Sequence, residues 1–60
     1  PNSHDGQEFD SILSGTMHIV IGKNDVVLHP GDSVYYDSRT PHAMEAVGGE
    51  AVHFLAIVIP

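Results

Sequence analysis

Glycine and proline cut this chain into short pieces, and that punctuation constrains its fold more than any other feature. Gly15, Gly22, Pro30-Gly31, Pro41 and Gly48-Gly49 recur along it, and no ten-residue window carries a convincing 3.6-residue apolar period. Helices are therefore not expected. Phe9 to Ser14, Thr16 to Ile21, Val26 to Leu28, Ser33 to Tyr36, His42 to Ala46 and Ala51 to Ile59 read as strands. Gly22-Lys23-Asn24-Asp25 has a hairpin-turn composition. In His29-Pro30-Gly31-Asp32, Pro suits the first central turn position and Gly the second. Short strands at this spacing predict an all-β antiparallel sandwich or barrel. Alternation assigns Ile12, Met17, Ile19, Ile21, Leu28, Val34 and Tyr36 to its interior.

Sixty residues make one domain, spanning 1–60, whose own core is small. Without cysteine, disulfides cannot reinforce it. A metal, a partner subunit or flanking sequence would have to. The start at Pro1-Asn2, with no initiator Met, reads as a fragment of a longer chain. Lys23 and Arg39 stand against eight acidic residues, a formal charge of −6. Nucleic-acid binding by this segment is thereby excluded, because it rests on neutralising phosphates. No basic face meets an anionic membrane, and the longest apolar run, Phe54 to Ile59, is too short to span one.

Five histidines invite a search for a metal site. His18 should face outward beside the inward Met17 and Ile19, His29 lies in a turn, and the facing of His53 is ambiguous. For these three, ordinary surface or supporting placement is the favoured reading. His4 and Glu8 differ. Residues four apart on an extended strand lie roughly 13 Å apart, too far for both to reach one ion with bonds near 2 Å. A bend at Gly6, preceded by Asp5, would let them converge. His42, opening a later strand after Thr40-Pro41, is the natural third ligand. Two histidines and a carboxylate leave open coordination positions, an arrangement associated with non-haem Fe(II) and compatible with Zn, Mn, Ni or Co.

These residues resemble the cupin superfamily. His4, three residues, Glu8, six residues and Gly15 fit the second half of its first motif. Gly31 and His42, in "PGDSVYYDSRTPH", keep the register of its second motif. The resemblance implies an antiparallel jelly-roll barrel, incomplete in this segment because the family has further strands before it. Asn2 stands where the family has its first metal histidine, so the family's four-ligand site becomes a three-ligand one; Asn2 is then a weak or water-mediated contact. Asp37, Arg39 and Ala46 replace the second motif's Pro, Gly and Asn. The wording "HDGQEF…LSG…PGDSVYYDSRTPHAM…FLAIVIP" is similar to the C-terminal cupin domain of bacterial, cytoplasmic transcription regulators with an upstream phage-repressor-type helix-turn-helix. Those domains are thought to sense a small molecule, and DNA binding would reside in the upstream domain. The His-x-x-x-Glu-Phe and Pro-His signature is also similar to mononuclear iron enzymes acting on phosphonates.

Three more residues are candidates for a pocket. Asp10 shares the inward face with Glu8, and an unpaired buried carboxylate is costly. It should therefore meet water in an open pocket or bond a neighbour. Tyr36 either offers its hydroxyl to a ligand or packs as a core aromatic. Arg39 either guides an acidic ligand across the mouth or is a solvated loop charge. Three readings follow: a metal-holding sensor of a small molecule, a metal-dependent oxygenase or isomerase, and a barrel that has lost its metal. The surviving ligand-type residues argue against the last. The enzyme reading lacks evident acid–base residues beyond Asp10 and Tyr36, so the sensor is favoured. Uncovered strand edges and apolar faces predict a homodimer.

Overall fold

The structure, a computed structural model, describes residues 6–60. Six strands follow in order: β1 (Gln7–Ser14), β2 (Met17–Ile21), β3 (Asn24–Leu28), β4 (Ser33–Asp37), β5 (His42–Ala46) and β6 (His53–Ile59). They form two antiparallel three-stranded sheets, ordered β4-β1-β6 and β3-β2-β5. The β2–β3 hairpin stays within one sheet, and every other connection crosses to the opposite one. This is the all-β antiparallel architecture expected, an incomplete jelly-roll.

Boundaries moved where local composition competed with pairing. The hairpin turn is the two residues Gly22-Lys23, because Ile21 pairs directly with Asn24 and Val20 with Asp25. Asn24 and Asp25 are turn formers by composition, yet here the ladder claims them. Pairing also starts β1 two residues earlier than expected, at Gln7, and β6 two residues later, at His53. The Pro30-Gly31 turn is as expected. Asp32 N donates to His29 O at 2.9 Å, and Gly31 has φ +91°, the left-handed conformation of the second central residue in a type II turn.

Period-2 alternation decides what lies inside. Ile12, Met17, Ile19, Leu28 and Tyr36 are the buried apolar residues; Ile21, Val26, Val34, Met44, Val52 and Phe54 pack against them. The expected interior set is therefore recovered, with Ile21 and Val34 at its margin. On the inner face of β4-β1-β6, Glu8 lies between Tyr36 and Val58, and Asp10 between Val34 and Ala56. Val58 remains 51% exposed despite facing inward, so the sandwich is open along β6. Among the described residues, no helix is long and apolar enough to cross a membrane.

Candidate metal centre

Glu8 reaches the interior because β1 alternates from Gln7 outward to Glu8 inward, and Asp10 follows on the same face. Tyr36 lies directly across from Glu8 on β4. His42 comes from the other sheet, where it opens β5 opposite Ile21. The Tyr36 and His42 rings meet with centroids 4.9 Å apart and planes tilted by 59°, so this aromatic contact joins the two sheets at their polar end. Glu8, Asp10, Tyr36 and His42 thus form one interior cluster.

The hydrogen bonding of His42 determines its tautomer. Nδ1 lies 2.9 Å from the carbonyl oxygen of Thr40. A carbonyl only accepts, so Nδ1 carries a proton, and in the neutral imidazole the lone pair is then on Nε2, the form that binds a metal. This backbone partner orients the ring as a supporting carboxylate or carbonyl does in metal sites. Thr40 is itself anchored, its N–H donating to Asp37 O at 3.0 Å.

Asp10 is the most unusual group here. It is fully buried, and its Oδ2 accepts a long hydrogen bond of 3.4 Å from the Tyr36 hydroxyl. Its Oδ1, with Ser38 Oγ, is one of two buried side-chain oxygens among the described residues that have no hydrogen-bond partner. Burial above all, then hydrogen bonding with Glu8 and the negative charge of Glu8, push Asp10 up to about 7; the Tyr36 hydroxyl and the charge of His42 pull it partly back. Burial and then the hydrogen bond with Glu8 likewise hold the Tyr36 phenol well above its ordinary value. Asp10 therefore bonds a neighbour, one of the two outcomes expected from sequence, while one of its oxygens stays unpartnered.

Gly6 has the positive-φ backbone that a bend just before Glu8 would need. Its φ is +137°, and a Cβ there would lie 2.4 Å from Ile59 O, so no other residue fits without displacing the end of β6. His4 and Asn2 lie outside the described residues. Among the described residues, no three His, Cys, Asp or Glu side chains are placed to hold a metal ion. Glu8 and His42 are two of the three proposed ligands, and a hard carboxylate with a neutral imidazole is a donor pair that suits a divalent transition metal.

Arg39 is bound to Asp37. Its Nη2 donates to Oδ2 at 2.9 Å, and its Nε and backbone N–H donate to Oδ1 at 3.2 and 2.9 Å. These bonds, led by the guanidinium, hold Asp37 down at about 2. The pair lines an open cavity of about 430 Å³ with Gly6, Gln7, Ile59 and Pro60, at the chain-end side of β4-β1-β6. His29 and His53 are exposed. His18 faces outward as expected, but it is not idle: its Nδ1 lies 2.9 Å from Glu45 Oε1, and its Nε2 contacts Asp25. That trio and Ser38 were missed in the sequence. His18 and Glu45 are 27 residues apart, and the β2–β5 register that joins them has no local signal.

The family model described as the Cupin domain matches residues 1–58. No curated protein and no solved structure matches the chain. With the family model matched over nearly its whole length, and with two antiparallel sheets enclosing a polar cluster, the chain belongs to the cupin family.

Proposed function

We propose that this cupin domain holds one divalent transition metal (Fe, Zn, Mn or Ni) through His4, Glu8 and His42, with Asn2 as a weak or water-mediated contact. The open coordination positions then receive a small-molecule ligand. In this reading the domain is the sensing C-terminal part of a bacterial transcription regulator. The observation that carries the metal assignment is the Thr40 carbonyl on His42 Nδ1, which makes Nε2 the nitrogen available to a metal in the neutral imidazole. The bend at Gly6 supports the convergence of His4 on Glu8.

The second reading, a metal-dependent oxygenase or isomerase, draws on Asp10. A buried carboxyl held near neutral pH beside a metal ligand suits proton transfer. An anionic phosphonate substrate fits less well: Lys23 is exposed in the β2–β3 turn, and Arg39 is paired with Asp37. The two readings separate on turnover, since Asp10→Asn would abolish a reaction while leaving metal content intact.

Elemental analysis of the purified protein beside His42→Ala tests the centre itself. About one divalent metal per chain is expected in the wild type, with at least a tenfold loss of affinity in the variant. Affinity should also fall in mild acid, where protons compete for the imidazoles and the carboxylate. No bound metal after reconstitution with Fe(II), Zn, Mn and Ni would overturn the assignment.

A further inference from the structure

Tyr36 touches every other member of the polar cluster. It lies across from Glu8 in register, and its ring packs on that of His42 with centroids 4.9 Å apart. Its hydroxyl donates to Asp10 Oδ2 at 3.4 Å and also hydrogen-bonds with Glu8. Packing alone does not account for this residue, because a core position that needs only volume is filled by Phe with no polar atom to satisfy. At 7% exposure the phenol oxygen has to find its partners inside, and it finds both on the inner face of β1.

We propose that Tyr36 is a positioning residue of the metal centre, fixing the Glu8 carboxylate with its hydroxyl and the His42 imidazole with its ring. The proposal rests on the assignment of Glu8 and His42 as ligands. Those two side chains come from opposite sheets, so their relative placement depends on what spans the interior between them. Tyr36 does so. Thr40 O already holds His42 through Nδ1, but one hydrogen bond leaves the ring free to swing about it. The aromatic contact, tilted by 59°, supplies the second restraint. For Glu8 the restraint is the hydroxyl proton. A phenol has a single proton, and two carboxyls face this one. The bond to Asp10, at 3.4 Å, is well beyond the ~2.8 Å of a good O–H···O bond, so Asp10 holds that proton weakly. An ionised Glu8 is the stronger acceptor and takes it, which ties one carboxylate oxygen and leaves the other to coordinate.

Co(II) titrated into the metal-free protein tests this, because its absorption bands report ligand geometry and competition with a chromophoric chelator gives its affinity. Tyr36→Phe keeps the ring and removes the hydroxyl. It should bind Co(II) about tenfold more weakly, with altered bands. Tyr36→Leu removes both restraints and should lose about a hundredfold. Leu28→Ala is the control for mere packing: Leu28 is buried, yet it lies at the opposite end of its sheet from His42. It should lower stability and leave affinity and bands unchanged. Proton NMR of the metal-free protein adds a readout that needs no metal. The His42 ring resonances, shifted by the Tyr36 ring, should keep their positions in Tyr36→Phe and move to those of an exposed histidine in Tyr36→Leu. A Tyr36→Phe protein with wild-type affinity and bands would overturn the proposal. So would a Leu28→Ala protein that loses as much as the Tyr36 variants, since general loosening of the fold would then explain both. A wild type that takes up no Co(II) means that the ligand assignment has failed, and the NMR then decides: His42 resonances indifferent to Tyr36→Leu would overturn the positioning role as well.

Discussion

The two sheets of this sandwich use the same alternation to opposite ends. In β3-β2-β5, Met17, Ile19 and Leu28 point inward, while His18, Asp25 and Glu45 point outward. That is the arrangement expected of a half-buried antiparallel sheet. In β4-β1-β6 the order reverses toward the chain-end side: Glu8, Asp10 and Tyr36 lie inside, and Phe9, Tyr35 and Ile57 outside. The first sheet holds the fold together by removing apolar surface from water. The second gives up part of that contribution to present polar groups to the interior, and its outer face then needs cover. The division is one of degree: Ile12, Val34 and Phe54 of the second sheet still complete the apolar core, while its chain-end side carries the polar groups.

The largest effect should come from breaking the stabilising sheet. Ile19 is fully buried between Val26 and Met44 in register, and Ile19→Ala removes its packing and leaves a cavity. A loss of about 2–5 kcal/mol is expected, read as a fall in denaturation midpoint at constant slope. Ile57→Ala on the other sheet, measured where the protein is monomeric, should change stability by about 0.5 kcal/mol or less. Equal losses at the two positions would contradict the division.

The next test targets the polar interior. In the metal-free protein, Asp10 has a folded-state value near 7 against an ordinary 3.8. The folded state therefore binds its proton more tightly. That contribution to stability is fully present below about 3.8 and is lost as pH rises through about 7. Thermal stability of the chelated protein should accordingly fall between about pH 4 and 7. Asp10→Asn, neutral throughout, should match the wild type near pH 4 and exceed it at pH 8. A wild type flat over that window, or a variant with the same slope, would show that burial of Asp10 is not what strains this sheet. Asp37, held low by Arg39, acts in a different window: its contribution is present above about 3.8 and is lost as pH falls toward 2.

Much of this division was legible in the sequence, for a physical reason. Where one face of a strand is buried, the two-residue period forces a choice, so Met17, Ile19, Tyr36 and Asp10 could be placed from alternation alone. Glu8 and His42 could be singled out as ligand-type residues, and the structure brings both to the interior; Gly6 stood out because only glycine readily takes a positive φ. The apolar outer face was not legible. Leu55 to Ile59 is apolar without interruption, so its period says nothing about facing. Asn24 and Asp25 misled because their turn propensity is weaker than the pairing imposed by a two-residue turn. Register between distant strands also stayed hidden, and with it the partners of His18.

Those partners supply the smallest expected effect and the sharpest contrast with Asp10. His18 sits on the solvent side of the stabilising sheet, clasped by Glu45 from β5 and Asp25 from β3. Hydrogen bonds to Glu45 first and Asp25 second raise it above its ordinary value. The sign is that of a cation gaining anionic partners. Its contribution is fully present below the ordinary histidine value of 6.5 and is lost as pH rises through the raised one. His18→Gln should therefore cost a little stability near pH 6 and almost none near pH 9, where both proteins lack the charge. The difference should shrink with added salt, because the trio is exposed and its attractions are screened. Denaturant midpoints of the two proteins at both pH values and two salt concentrations measure it. If the variant's loss were as large as that of Ile19→Ala, or independent of pH, the outer face of β3-β2-β5 would be a structural element in its own right, and the stabilising role could no longer be assigned to its inner face alone.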